Sequence, residues 1–318
     1  MPEQRFLELP VTAVRPVADS VISVRLGDPT GGWLPAWRPG AHVPVRLPSG
    51  LVRHYSLCGP LDDPAIWEIA VLREAAGRGG SREFHDTVTP GCRLEIGMPR
   101  NNFPLLPSDR YLFVAGGIGI TPILAMCRAA AAEGVPWTLV YGGRSRSSMA
   151  FVDVLGSLPG GSLELVPQDE RGFLDLPAII AAGREIGRIY CCGPAGLLDA
   201  MARGATRAGV DLRVERFSPA QPAQPEGDRA FRVRVRGVAG DWTVEPGQSV
   251  LHVLREAGVD VLYSCEEGTC GTCETRVLAG SPDHRDSVLT PAERAAADRM
   301  MICVSRALSD ELLLEVDL

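Results

Sequence analysis

The sequence contains no lysine. All 32 basic residues are arginines, set against 39 acidic ones, for a net charge of −7. Any phosphate held here by a cation is therefore held by a forked guanidinium, not an ammonium. No stretch of clustered basic residues stands out, which argues against nucleic acid or an anionic membrane as a main partner. Long apolar runs are missing too: none reaches the roughly 20 residues of a membrane span. The opening "MPEQRFLELPVTAVRP" lacks the basic-then-apolar order of a signal peptide. With no export signal and nine cysteines, an odd number, no disulfide framework is expected. A reducing, cytoplasmic setting is the expectation, and the chain is taken as a monomer.

What is present is the balance of a soluble protein, 45% hydrophobic and 22% charged, over 318 residues, enough for two or three domains. Residues 1–107 carry short β-type runs broken by Gly and Pro, among them "VISVRL", "HVPVRL", "WEIAVLR" and "RLEIGM", which suggest a barrel or sandwich. Residues 108–217 alternate strands ("RYLFVAG", "WTLVYG", "RIYCCGP") with helices ("TPILAMCRAAAAEG", "AGLLDAMARGATRAG"), the signature of a parallel α/β sheet. Residues 218–230 contain "SPAQPAQPEGD", without apolar periodicity, and read as a linker. Residues 231–318 open on the alternating strand "FRVRVRGV".

That last segment holds Cys265, Cys270 and Cys273 in "YSCEEGTCGTCETRV", and Cys303 in "MMICVSR". Such thiols could be packing residues, halves of disulfides, zinc ligands or iron ligands. The full pattern, C-x4-C-x2-C-x29-C, is the plant-type [2Fe–2S] spacing. A zinc ribbon would usually show two C-x2-C pairs, and only one is present. Gly268 and Gly271 let backbone amides approach the sulfides without Cβ clashes. A cluster that takes one electron at a time implies an electron source upstream.

Three upstream stretches fit one. In "AGGIGITPILAM", Gly116, Gly117 and Gly119 follow a strand and open a helix, permitting close approach of a phosphate or nicotinamide. "YCCGPAGLLDAM" has the same form, with Cys192, Gly193 and Pro194 at the strand end. In "RHYSL" (53–57), an Arg, an aromatic and a hydroxyl on a β run suit a flavin: cation for phosphate, ring for stacking, hydroxyl for a ring nitrogen. In "GRGGS" (77–81), Ser81 reads as an N-cap and the amides as a phosphate cradle. His54 and His85 read as strand or surface histidines, not as a catalytic pair.

"RHYSL", "GRGGS", "GGIGITP", "CGP" and the cysteine pattern occur in the order of the phthalate dioxygenase reductase family, which the chain resembles over nearly its whole length. It is also similar to the reductase part of self-sufficient cytochrome P450 enzymes. The resemblance implies a β-barrel flavin domain, a parallel-sheet nucleotide domain and an α+β ferredoxin domain of the β-grasp type. It implies FMN rather than FAD, a [2Fe–2S] cluster and NAD(P)H, with electrons passing to an oxygenase component or a P450. By motif, Arg53, Gly79, Gly80 and Ser81 would hold the FMN phosphate, Tyr55 would pack on the flavin ring, and Ser56 would lie near N5, the reacting atom. Gly116–Thr121 and Cys192–Pro194 would flank the nicotinamide, and Phe217 in "VERFSP" matches the residue covering the other flavin face.

Two alternatives stand beside this reading: a reductase acting directly on a small molecule, and a redox sensor. For the coenzyme, "GRSRSSMAF" follows the second strand of the nucleotide domain; Arg144 and Arg146 lie there and the first acid is Asp153. Arginine can receive a 2′-phosphate, so NADPH is expected over NADH. Residues 231–318 hold 15 Asp/Glu against 9 Arg, an acidity that would steer a basic partner surface.

Overall fold

The computed structural model describes residues 6–28, 30–75, 77–219 and 227–316. One compact unit is Arg5–Glu215, and Arg216–Leu318 form the body of a second.

The first unit begins with antiparallel strands β1 (Phe6–Ala18), β2 (Val21–Gly27), β3 (Ala41–Arg46), β4 (Val52–Ser56), β5 (Ile66–Leu72) and β6 (Arg93–Gly97), with a short β7 (Arg100–Asn101) beside β3. Their order is β4-β3-β6-β1-β2-β5. The long β1 breaks register after Val11 and again after Pro16, which lets one strand serve both halves of the sheet. A bridge between Leu57 and Ile69 joins the two ends, so the sheet closes as the expected barrel. Alternate residues point inward, and Val24, Leu26, Val43, Val45, Trp67 and Ile96 fill the interior. Helix α1 (Gly80–Thr87) lies beside the barrel with Phe84 buried.

The same unit continues into a parallel sheet: β8 (Tyr111–Gly116), α2 (Ile120–Glu133), β9 (Trp137–Gly143), α3 (Val152–Ser157), β10 (Gly161–Pro167), α4 (Gln168–Arg171), α5 (Leu176–Ile186), β11 (Arg188–Cys192), α6 (Ala195–Ala208) and β12 (Asp211–Glu215). The strand order β10-β9-β8-β11-β12 reverses between β8 and β11, the place where open α/β sheets bind ligands. Barrel and sheet share one hydrophobic core, in which Val21, Cys58 and Ala70 join Phe113, Ile120 and Leu124. Polar contacts add to it: the Asp19 N–H donates to Ser147 O at 2.8 Å and the Leu106 N–H to the Tyr190 hydroxyl at 2.9 Å.

The second unit has a mixed sheet, β14-β13-β19-β15-β17, from β13 (Phe231–Val235), β14 (Trp242–Val244), β15 (Glu274–Ala279), β17 (Arg299–Met301) and β19 (Glu311–Glu315). A small pair, β16 (Pro282–Asp283) and β18 (Arg306–Ala307), stands apart. First and last strands, β13 and β19, run parallel, as a β-grasp arrangement requires. Helix α7 (Val250–Glu256) buries Val250, Leu251, Val253 and Leu254, and α8 (Pro291–Ala296) is closed by a capping box from Thr290 and Glu293. Of the expected linker, residues 220–226 lie outside the described residues.

Among the described residues, no helix is long and apolar enough to cross a membrane.

Candidate functional site

Strand β4 carries "RHYS". The Arg53 side chain crosses the start of α1: a Cβ on Gly80 would meet Arg53 Nε at 2.7 Å. Only glycine at 80 lets the guanidinium rest there. Gly79, at φ 89°, turns the chain into the helix in a left-handed conformation that favours glycine. Gly79, not Ser81, is the N-cap, so the expected capping role of Ser81 is corrected. The Ser81 hydroxyl instead accepts the Glu74 N–H at 3.1 Å, tying the loop after β5 to the first turn of α1. A guanidinium beside the N-terminus of an eight-residue helix offers an anion both charge and dipole.

Tyr55 stands edge-on to Phe84, ring centroids 5.3 Å apart. Burial pushes its phenol well above the ordinary range, and Arg53 pulls the other way. His85 donates its Nε2–H to Val71 O at 2.9 Å and so links α1 to β5. His54 packs against His42 with ring centroids 5.3 Å apart.

Ser56, 4% exposed, ends β4 and donates its hydroxyl to Glu215 Oε2 at 3.3 Å. Glu215 closes β12 and lies in register with Cys192 at the end of β11. The flavin-type strand thus ends at the carboxyl edge of the nucleotide sheet. Burial pushes the Glu215 carboxyl up to about 8, with the Ser56 hydrogen bond opposing it. His42 Nδ1 is 3.9 Å from the other carboxylate oxygen. Burial, with Glu215 adding to it, also raises the Cys192 thiol. Sequence reasoning missed Glu215: nothing local marks the acid of "VERFSP", and only strand order brings it to Ser56.

The two glycine turns pack on each other. A Cβ on Gly119 would lie 2.3 Å from Cys192 O, and one on Gly116 would lie 2.7 Å from Pro194 Cδ. Gly193 is confined less tightly, its Cβ position 3.1 Å from Gly116 Cα. Three of these glycines therefore serve the contact between adjacent strand ends. Gly117, at φ 54°, has nothing near its Cβ position and is the one that leaves open space. Thr121 is buried and donates to Ile118 O at 3.1 Å, which closes the turn.

After β9, Arg144 is exposed and enters no ion pair among the described residues, while Arg146 Nε reaches both oxygens of Glu170 at 2.9 and 3.1 Å. The sequence neighbourhood offered Asp153 as the first acid, but α4 brings Glu170 across. Phe217 belongs to the second unit and is 46% exposed; no position against the flavin strand is assigned to it.

In the second unit, Cys270, Cys273 and Cys303 are buried and Cys265 half-buried, all free of disulfides. Among the described residues, no three His, Cys, Asp or Glu are gathered as for a lone metal ion. The sulfurs meet in a chain instead: Cys265 is within hydrogen-bonding reach of Cys270 and Cys303, and Cys303 of Cys273. Hydrogen bonds from Cys270 and Cys303 push the Cys265 thiol down, and those partners are pushed up in turn. Backbone amides aim at sulfur as they do around thiolate-bound clusters: Glu267 N–H to Cys265 Sγ at 3.3 Å and Thr272 N–H to Cys270 Sγ at 3.5 Å. Three buried sulfurs and a half-buried one, with amide donors, fit a two-iron cluster. Gly268 and Gly271 hold left-handed conformations in the loop, and so does Glu266, at φ 56°.

Residues 233–308 match the family described as "2Fe-2S iron-sulfur cluster binding domain". The chain is 40% identical over 317 residues to a putative toluene-4-sulfonate monooxygenase system reductase subunit of Comamonas testosteroni, covering 97% of this chain and 99% of that one. It is 37% identical over 322 residues to the phthalate dioxygenase reductase of Burkholderia cepacia, covering 99% and 98%. Among solved structures, phthalate dioxygenase reductase, described as modular for electron transfer from pyridine nucleotides to [2Fe-2S], aligns over 99% of both chains with a TM-score of 0.69 and 36% identity. An intact type IV self-sufficient cytochrome P450 monooxygenase aligns over 97% of this chain and 41% of its own, with a TM-score of 0.91 and 41% identity. The chain therefore belongs to the phthalate dioxygenase reductase family: it is a flavin-containing, NAD(P)H-dependent oxidoreductase that passes electrons from pyridine nucleotide to a [2Fe–2S] cluster.

Proposed function

We propose that the protein is the reductase of an oxygenase or cytochrome P450 system, with FMN as its flavin and Cys265, Cys270, Cys273 and Cys303 as the cluster ligands. The observation that carries the reading is the Ser56–Glu215 contact, because it joins the flavin-type strand to the strand ends where the nicotinamide turn lies. When bound, the flavin supplies the exchange of one hydride for two single electrons, and the cluster supplies a one-electron store.

Arg53 and the N-terminal amides of α1 would hold the FMN phosphate, with Gly79 and Gly80 giving access. Tyr55, braced by Phe84, would present its ring to the flavin. Ser56 would offer its hydroxyl near N5. Glu215 is a positioning residue that orients this hydroxyl and keeps a proton beside it at neutral pH. The turns at Gly116–Thr121 and Cys192–Pro194 would shape the nicotinamide crevice, with Gly117 leaving the room. Hydride transfer between nicotinamide and flavin needs no separate base, so what these residues contribute is orientation.

Arg144 supports NADPH as coenzyme, because a guanidinium outside any ion pair is open to a 2′-phosphate. Glu170 opposes this by occupying Arg146, so the preference rests chiefly on Arg144.

The test is anaerobic reduction by NADPH. Ser56→Ala should slow flavin bleaching about tenfold, the loss of one hydrogen bond worth ~1.4 kcal/mol in the transition state, with the cluster spectrum unchanged. Flavin reduction at the parental rate would contradict the placement of Ser56. A second reading is favoured by a 37% identical relative, the tetrachlorobenzoquinone reductase of Sphingobium chlorophenolicum: reduction of a small quinone without an oxygenase partner. Turnover of quinones compared with cytochrome c separates the two.

A further inference from the structure

The stretch "SPDHRDSVLT" takes no part in the reading above, yet it buries two titratable side chains. His284 and Asp286 have side chains 9% and 0% exposed, with Nδ1 and Oδ1 facing each other at 3.9 Å. Among the described residues, both imidazole nitrogens and Asp286 Oδ1 meet no hydrogen-bond partner. The rest of Asp286 is fixed. Its Oδ2 accepts the N–H groups of Val288 and Leu289 at 2.9 and 2.8 Å, and Arg294 reaches both its carboxylate and its carbonyl. Its free oxygen is thereby turned toward the imidazole. Unpaired polar atoms this deeply buried are rare in folded proteins and usually have a task.

The surroundings point to the task. The Ser287 N–H donates to Gly268 O at 2.8 Å, in the loop between Cys265 and Cys270. A Cβ on Gly268 would lie 3.1 Å from Asp286 Cα and 2.6 Å from Val304 Cγ2. The Arg285 N–H donates to Ser305 Oγ at 3.1 Å, just past Cys303. The segment 284–287 thus touches both parts of the chain that carry the cysteines.

We propose that His284 and Asp286 are a positioning pair that sets the reduction potential of the cluster. The imidazole faces Asp286 Oδ1 across 3.9 Å as an electrostatic partner, beyond hydrogen-bond length, and the segment fixes the ligand loop through Ser287 and Gly268. A buried carboxylate opposes the arrival of an electron, and the imidazole N–H offsets part of that charge. The inference rests on the cluster reading, which iron analysis and EPR of the parent protein would test separately.

The experiment is a redox titration of the full-length, cofactor-loaded protein, followed by EPR. Asp286→Asn, with the carboxylate removed, should move the cluster midpoint to more positive potential. His284→Ala should move it to more negative potential, and His284→Gln, which restores a donor, should return it toward the parent. A merely structural pair gives no such opposition of sign. Shifts in the same direction, or unchanged midpoints in loaded protein, overturn the proposal. Where His284→Ala loses the cluster, His284→Leu, which fills the space without a donor, takes its place: a midpoint below that of His284→Gln supports the proposal, and an equal midpoint overturns it. Loss from both, or from Asp286→Asn, overturns it.

Discussion

Ser56 donates its hydroxyl to Glu215 across a sequence separation of 159 residues, and in doing so ties the last residue of the flavin-type strand to the last residue of the nucleotide sheet. The carboxyl that receives it is buried and pushed up to about 8. The folded protein therefore binds a proton that the unfolded chain has lost by that pH. Stability from this site is greatest at or below the ordinary carboxyl value of 4.5 and declines as pH rises toward 8. The full span corresponds to roughly 4–5 kcal/mol. Thermal melting of the parent should show this decline, and Glu215→Gln should flatten it. An equal decline in the variant would show that Glu215 is not the titrating group.

The anion site at α1 makes a paired prediction. Arg53→Ala removes the cation, and Gly80→Ala forces the guanidinium aside through a contact at 2.7 Å. Both should weaken flavin retention, by about ten- to a hundredfold for the loss of a charged hydrogen bond worth ~1.5–3 kcal/mol. Flavin released by acid should chromatograph as FMN; FAD would mean that the 79–81 turn binds something other than a terminal phosphate.

Two neighbouring glycines should differ in cost. Gly119→Ala places a methyl group 2.3 Å from a backbone oxygen that cannot step aside, and should destabilise the first unit by about 1–3 kcal/mol or more. Gly117→Ala meets nothing and pays only for its left-handed conformation, roughly 1 kcal/mol. Chemical denaturation compares them. Equal losses would contradict the assignment of Gly119 to the contact between turns.

The proposed coenzyme preference makes a prediction about Arg144, Arg146 and Glu170. Arg144→Ala should lower kcat/KM for NADPH about ten- to a hundredfold, roughly 1.5–3 kcal/mol, and leave NADH alone. Glu170→Gln frees Arg146 from its carboxylate partner and should raise preference for NADPH. A parent that prefers NADH, or a Glu170→Gln variant with unchanged preference, would remove these residues from coenzyme selection.

Much of this was legible in the sequence because the relevant signals are local. The barrel strands are short β-type runs between Gly and Pro, the buried strands β8, β9 and β11 are apolar runs, and the cysteine spacing names its own chemistry. What was not legible is what the chain assembles from a distance. The edge strands β10 and β12 were not recognised: at the sheet border they bury little, and "DLRVE" alternates charge with small apolar residues. Helix α5, capped by Asp175 and with Pro177 near its start, was passed over as well. For the same reason Glu215 and Glu170 escaped notice. The glycines of "GGIGITP" were recognised as backbone needing close approach, but what approaches Gly116 and Gly119 is the neighbouring turn.

The most direct test of the electron path is Cys303→Ser, read by anaerobic stopped-flow and EPR together. On the proposed assignment, hydride transfer from NAD(P)H to the flavin lies within the unit of residues 5–215 and should proceed at the parental rate. The [2Fe–2S] signal should be altered or lost, and cytochrome c reduction with it. A cluster signal identical to the parent's, or flavin reduction that fails along with the cluster, would contradict the account.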